Sequence, residues 1–118
     1  MGAKYVPPYD RKEKHLPECN WCGPGTNVTR RIREGVQPMS ALDKACMQHD
    51  MDTESRGPKR AGTDPAKIRA SDARLARQAK KIALDHRTSQ RQRALAWVVY
   101  RAMKFNKWRK SRGGDLDV

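Results

Sequence analysis

The sequence predicts an all-α fold, and three observations lead to it. Apolar residues recur at three- and four-residue spacing in three segments, which is the periodicity of a helix face. Ser, Asp, Pro and Gly stand at the ends of these segments, where they start or stop helices. No segment shows a convincing strand pattern. The 118 residues amount to about one small domain, and because 36% of them are hydrophobic the core must be thin.

Two segments precede the first predicted helix. Residues 1–19 are predicted to form an extended arm, because their prolines favour polyproline geometry and block helix formation. Residues 21–37 are predicted to form a loop, because three glycines and a proline punctuate them. The sequence thus divides into this arm, one domain over residues 20–110 and a disordered tail over residues 111–118.

The first two predicted helices are long and carry the candidate site. One starts at Ser40, which can cap it, and is stopped by Gly57. The other runs from Pro65, which suits a first helical position, to about Asp85. Asp72 falls within the apolar stripe of this second helix, where a carboxylate is costly unless another group satisfies it.

A third, C-terminal helix is predicted to start after Ser89 and to run to about Trp108. Its apolar residues recur at helical spacing and should face the core. They are Leu95, Val98, Val99 and Met103.

The positive charge is concentrated in the second half of the chain. The net charge is +13, and residues 56–112 hold eighteen Lys and Arg against three acids. Such a surface attracts polyanions, either anionic lipid headgroups or nucleic acid. The "KFNKWRKSR" stretch also fits a nuclear localisation signal. The candidate residues for membrane or polyanion binding are Arg74, Arg77, Lys80, Lys81, Lys107, Trp108, Arg109 and Lys110.

The stretch "CMQHDMD" at residues 46–52 places His49 beside Asp50 on a helix. Neighbouring helical residues point about 100° apart, so the two side chains can meet different partners. Asp50 and the carbonyl groups of the glycine-rich loop suit Ca²⁺, which prefers oxygen ligands. His49 beside that cation can take a proton from water, and inward-facing Asp72 can hold its other ring nitrogen.

A zinc site is the alternative that the same stretch leaves open. Cys19 and Cys22 form a CxxC pair, and Cys46 with His49 would complete four ligands. With the basic second half, this constellation would describe a zinc-stabilised nucleic-acid-binding module.

Three motifs in order resemble the secreted-type phospholipase A2 family. They are "WCGPGT" at residues 21–26, "DKACMQHD" at residues 43–50 and "SDARLA" at residues 71–76. The resemblance is nearest to the parvoviral capsid phospholipase A2 domain and to the bee-venom-type enzymes, and it covers roughly residues 20–85. It implies a calcium-binding loop followed by two long, roughly antiparallel helices that carry a His-Asp site.

The resemblance also implies a role for each matching residue. Calcium would be bound by the backbone carbonyls of Trp21, Gly23 and Gly25 and by the Asp50 carboxylate. The Gly23 amide would stabilise the oxyanion. His49 would be the general base and Asp72 its orienting partner.

Two further features follow from comparison with the family pattern. Cys22 and Cys46 stand where the family joins the calcium loop to the catalytic helix by a disulfide. Many members have a tyrosine three residues after the aspartate, but this chain has Thr53, which puts part of the support network in doubt. Tyr100 on the third helix is a candidate substitute.

The implied activity is calcium-dependent hydrolysis of the sn-2 ester of glycerophospholipids. In a viral-capsid setting its role would be to breach a membrane during entry, with the virion as location, possible nuclear targeting and secretion as the alternative location. The partners would be an anionic phospholipid membrane and, through the basic half, viral capsid or nucleic acid. A catalytically silent relative that keeps the fold for binding is the remaining alternative.

Overall fold

Four helices make up the described part of this computed structural model, which comprises residues 3–54 and 64–105. Within those residues there is no strand, so the predicted all-α fold is confirmed. None of the described helices combines the length and the apolar character that crossing a bilayer requires. The helices are α1 (Val28–Arg33), α2 (Ala41–Thr53), α3 (Pro65–Leu84) and α4 (Gln90–Lys104).

Each of the three longer helices begins where its sequence predicts. The side chains of Ser40, Asp64 and Ser89 accept hydrogen bonds from backbone amides in the first turns of α2, α3 and α4. The helix ends were predicted less well. Helix α2 ends at Thr53 and α4 at Lys104, both earlier than predicted.

Helix α1 was not predicted, because its residues lie in the segment expected to be a loop. The Asn27 side chain accepts a hydrogen bond from the Arg30 amide and caps this short helix. Arg31 is fully buried and forms an ion pair with Glu13 of the arm, with 2.9 Å between Nε and Oε2. A tertiary ion pair therefore stabilises α1, and local sequence patterns do not reveal it.

Helices α3 and α4 form an antiparallel hairpin joined by residues 85–89. Near the connection, Arg93 Nε donates to the Ala83 carbonyl at 2.9 Å. Further along, Lys80 Nζ lies 5.9 Å from the ring centroid of Tyr100. Small side chains allow close packing of the two helices, since Ala79, Ala83 and Ala96 are fully buried.

The predicted apolar face of α4 is wrong at one position. Val98 is 46% exposed, whereas its neighbour Val99 is fully buried. The core face contains Val99 and Met103, as predicted, together with the small residues Ala96 and Ala102, which were not predicted. The prediction failed because it ranked residues by hydrophobicity and passed over alanine.

The N-terminal arm lies against the loop and α1. The Val6 amide donates to the Asn20 side chain at 2.8 Å, and that side chain donates to the carbonyls of Lys4 and Gln37. The Arg31 guanidinium donates to the carbonyls of Val6 and Pro7. The division of the chain into arm, domain and tail remains a prediction, and residues 106–118 lie outside the described part.

Candidate active site

A disulfide between Cys22 and Cys46 joins the glycine-rich loop to helix α2, with the Cα atoms 5.1 Å apart. It confirms the predicted pairing. Closing a loop of 24 residues in this way can stabilise the fold by roughly 3 kcal/mol. The bridge also fixes the backbone on either side of Cys22 at the surface of α2.

Asp43 holds the same loop to α2 through hydrogen bonds. Its carboxylate is fully buried and accepts from the backbone amides of Trp21 at 2.7 Å and Cys22 at 3.2 Å. The other oxygen accepts from the amides of Asn20 at 2.8 Å and Met39 at 2.9 Å. An acidic residue in the first turn of a helix is ordinary, so the sequence alone does not reveal this role of Asp43.

The arm and the loop are bonded through alternate carbonyl groups of the loop. The Cys22 carbonyl accepts from the Leu16 amide at 2.8 Å, and the Pro24 carbonyl accepts from the Lys14 amide at 3.0 Å. These two oxygens therefore face the arm. Residues 12–16 thus contribute directly to the shape of the loop.

The carbonyls of Trp21 and Gly23 share a different partner. The Thr26 hydroxyl lies 3.1 Å from the Gly23 oxygen and 3.5 Å from the Trp21 oxygen. These two oxygens therefore converge on one point, away from the bonds to the arm. Both belong to residues predicted to bind calcium.

Gly23 and Gly25 are required by the close approach of the arm. Gly23 has φ 150°, and a Cβ there would lie 1.7 Å from the Lys14 carbonyl oxygen. Gly25 has φ 75°, and a Cβ would lie 2.1 Å from the Lys12 carbonyl oxygen. No other residue fits at these positions, because both the backbone conformation and the space exclude a side chain.

His49 and Asp72 form a buried pair that joins α2 to α3. The distance from His49 Nε2 to Asp72 Oδ1 is 2.6 Å, and both residues are buried. On the other side of the ring, Nδ1 lies 3.8 Å from Asp50 Oδ1. Burial lowers the pKa of His49, but the nearby carboxylates of Asp50 and Asp72, the latter hydrogen-bonded to the ring, outweigh burial and raise it.

This arrangement assigns different tasks to the two ring nitrogens. A carboxylate at 2.6 Å from Nε2 favours the tautomer in which Nε2 carries the proton and donates it. In the neutral ring, Nδ1 is then the acceptor, and it faces the side of Asp50. The bond to Asp72 therefore fixes the orientation of the ring, and Nδ1 is the atom that can act as a base.

The residues around Asp50 fit a hard cation. Asp50 lies four positions after Cys46, so both side chains lie on the same face of α2, one turn apart. The disulfide ties Cys22 of the glycine-rich loop to that face. Carboxylate and carbonyl oxygens are the ligands that Ca²⁺ takes. The donor set therefore suits the predicted calcium site.

The alternative zinc site does not fit the structure. Two of its four predicted ligands, Cys22 and Cys46, are consumed by the disulfide. Among the described residues, one cluster of metal-ligating types occurs, formed by Cys19, Cys22 and Asp43. It also fails as a metal site. Asp43 already accepts hydrogen bonds from four backbone amides, and burial raises the pKa of the Cys19 thiol to about 12, so the thiolate that would bind a metal does not form at neutral pH.

Thr53, which stands where many family members have tyrosine, and Tyr100, the candidate substitute, lie in different surroundings. The Thr53 hydroxyl donates to the His49 carbonyl at 2.8 Å within α2. Tyr100 borders the same groove as Asp72, and its ring contacts Trp97 edge-on and lies beneath Lys80. A role for Tyr100 in supporting the site stays a prediction.

The predicted basic residues fall into three groups. Arg74 forms an ion pair with buried Asp52, an α2–α3 contact that the sequence did not reveal. Arg77, Lys80 and Lys81 are exposed on α3. The remaining four lie outside the described residues: Lys107, Trp108, Arg109 and Lys110.

Comparison with known proteins identifies the family. The family model described as "Phospholipase A2-like domain" matches residues 12–90, well over half of the chain. The chain belongs to this family. No match was found among curated proteins or among solved structures.

The part of the chain matched to the phospholipase A2-like family contains the whole site. It takes in the arm residues that bond to the loop, the disulfide, and the His49–Asp72 pair. Membership supports a phospholipase A2-type function in general, and the family typically uses Ca²⁺.

Proposed function

We propose that this protein is a calcium-dependent phospholipase A2 that hydrolyses the sn-2 ester of glycerophospholipids. The observation that carries the proposal is the buried His49–Asp72 pair, at 2.6 Å, with Asp50 on the opposite side of the imidazole. A base of this kind needs one nitrogen held and the other open to the substrate side. Membership of the phospholipase A2-like family supports the same activity.

The proposed reaction uses His49 to move one proton twice. Nδ1 accepts a proton from a water molecule as the water oxygen bonds to the sn-2 carbonyl carbon. When the acyl carbon–oxygen bond breaks, the same proton passes to the departing lysophospholipid oxygen, and the free fatty acid is released. Asp72 keeps the ring in place and stabilises the imidazolium that forms between the two transfers.

Loop residues and Asp50 would complete the site. The carbonyls of Trp21, Gly23 and Gly25 and the Asp50 carboxylate would hold Ca²⁺. A bound Ca²⁺ would supply positive charge for the substrate phosphate and for the negative charge that develops on the carbonyl oxygen of the ester. Within the described residues the Gly23 amide donates no hydrogen bond, which supports its proposed donation to the oxyanion.

The biological setting of the activity is proposed from the resemblance and from the charge. A phospholipase domain of viral-capsid type would serve to breach a membrane during entry, which would place the protein in the virion, with possible nuclear targeting. Secretion is the alternative location. The net charge of +13 supports binding to an anionic membrane, and viral capsid or nucleic acid would be further partners of the basic half.

Fatty-acid release from phosphatidylcholine vesicles tests the reaction. We expect activity with Ca²⁺ and its loss in excess EGTA. His49→Gln and Asp50→Asn should each lower the rate by at least about 100-fold. His86→Gln is the matched control, since His86 is exposed, and it should keep the rate within about twofold.

Thermal unfolding of each variant checks that the fold is intact. Undiminished hydrolysis in EGTA, or by His49→Gln, would contradict the mechanism. A wild-type protein that binds vesicles but releases no fatty acid at any Ca²⁺ concentration would instead favour the catalytically silent alternative.

A further inference from the structure

A groove between α3 and α4 lies next to the candidate site but outside it. Its volume is about 510 Å³, within the range of small-molecule sites, roughly 300–1,000 Å³. Asp72 lies at its border, whereas His49, Asp50 and the glycine-rich loop do not line it. The proposed hydrolysis gives this groove no task.

The rim of the groove is cationic. Four exposed basic side chains line it: Arg69, Arg77, Lys80 and Lys104. Within residues 3–54 and 64–105, no acidic side chain forms an ion pair with any of the four. The one carboxylate that lines the groove, Asp72, is bonded to His49. The groove therefore favours a ligand that carries negative charge.

The floor of the groove is apolar. Ala73, Ala76 and Met103 line it, together with the ring of Tyr100, which also packs beneath Lys80. A ligand that fits both surfaces carries an anionic group at one end and hydrocarbon at the other. A phospholipid with an acidic headgroup has this form. The backbone of a nucleic acid is polar along its length and would leave the apolar floor uncovered.

We propose that the α3–α4 groove binds the headgroup of an anionic membrane phospholipid, separately from the substrate lipid at His49. The phosphate would lie against Arg77 and Lys80, and the glycerol and first methylene groups would cover Ala73 and Ala76. The inference rests on the proposed function in that it takes a membrane as the partner. It requires no hydrolysis at this second site.

Vesicle binding without catalysis tests the groove. The measurements use the full chain with His49→Gln, in EGTA, so that no lipid is hydrolysed. One set of vesicles contains phosphatidylcholine alone, and the other contains equal parts of phosphatidylcholine and phosphatidylglycerol. We expect Arg77→Gln/Lys80→Gln to weaken binding to the mixed vesicles by about tenfold. The matched control is Lys67→Gln/Arg101→Gln, which removes the same charge from exposed sites of the same hairpin outside the groove. It should change binding by less than about threefold.

A second pair of variants changes shape without changing charge. Ala73→Trp should fill the groove and weaken binding to the mixed vesicles as much as the charge variant does. Ala70→Trp, an exposed position of α3 outside the groove, should leave binding unchanged. Equal losses from both charge variants, or wild-type binding by Ala73→Trp, would overturn the proposal.

Nucleic acid provides the competing outcome. A short duplex that binds more tightly than the mixed vesicles, and that also loses affinity in Arg77→Gln/Lys80→Gln, would overturn the proposal in favour of a nucleic-acid site. Because all these measurements use the His49→Gln chain without Ca²⁺, they stand or fall independently of the hydrolysis assay.

Discussion

The loop half and the helical hairpin of this molecule are stabilised by different interactions. Residues 3–54 are tied by a disulfide, a buried ion pair and a carboxylate that accepts four amides. The α3–α4 hairpin is packed through alanines and Val99, and apart from buried Asp72 most of its charged side chains are exposed. The loop half thus gains its shape from directional bonds, whereas the hairpin gains it from close packing.

The candidate active site lies where the two halves meet. His49 belongs to the loop half and Asp72 to the hairpin, so the 2.6 Å contact between them requires both to be correctly folded. Changes in the loop half should therefore act on backbone geometry, and changes in the hairpin should act on packing.

The largest expected effect is that of Asp43→Asn. The side-chain NH₂ group of the new asparagine would face backbone N–H groups that now donate to the buried carboxylate. Two donors would then oppose each other, so the unfolding free energy should fall by about 4 kcal/mol. Hydrolysis should be lost with it, because the loop amides lose their anchor. Chemical denaturation measures the first effect and fatty-acid release the second.

Asp10→Asn is the control for this comparison. The exposed Asp10 side chain also accepts from two backbone amides, those of Lys12 and Glu13. Asp10→Asn should lower the unfolding free energy by less than about 1 kcal/mol. Similar losses from both variants would mean that burial of Asp43 does not distinguish the loop half.

A smaller effect is expected from acid acting on the Glu13–Arg31 pair. Burial raises the pKa of Glu13, but the hydrogen bonds from Arg31 and from the amides of Asn27 and Tyr9 outweigh burial and lower it from 4.5 to about 2. Its contribution is fully present above pH 4.5 and is lost as the pH falls toward 2. The unfolding free energy should fall by about 3 kcal/mol over this pH range.

Glu13→Gln separates this contribution from the other acids. Its unfolding free energy should lie about 3 kcal/mol below that of the wild type at neutral pH, and the two should converge near pH 2. Parallel pH profiles of wild type and Glu13→Gln, measured by urea denaturation, would contradict the assignment.

The smallest effect contrasts two neighbouring valines of the hairpin. Val99→Ala should lower the unfolding free energy by about 2 kcal/mol, because Val99 is fully buried. Val98→Ala should change it by less than about 0.5 kcal/mol, because Val98 is 46% exposed. Equal losses from the two variants would restore the helix face that the sequence predicted, which contains both valines.

Much of the helical fold could be predicted from the sequence because local chemistry determines it. The capping residues Ser40, Asp64 and Ser89 act on amides in their own first turns, so their role is visible in a short window of sequence. The disulfide was predicted from the family resemblance, and the structure contains it. Asp72 was singled out because a carboxylate within an apolar stripe needs a partner, and His49 bonds to it.

The rest depends on contacts between distant residues. Arg31 looks like one of several basic residues on a polar segment, and only Glu13, 18 positions away, explains its burial and helix α1. The same holds for Asp43, three of whose four partners lie more than twenty positions away in the loop, and for Arg74 with Asp52. A single sequence carries no mark of such pairs.

The alternation of carbonyls in the glycine-rich loop limits how this segment can change. The oxygens of Cys22 and Pro24 bond to the arm, while those of Trp21 and Gly23 converge on Thr26. Inserting or deleting one residue between Cys22 and Gly25 would exchange the two sets, turning the proposed metal ligands toward the arm. The number of residues in this stretch is therefore constrained more tightly than the side chain at position 24.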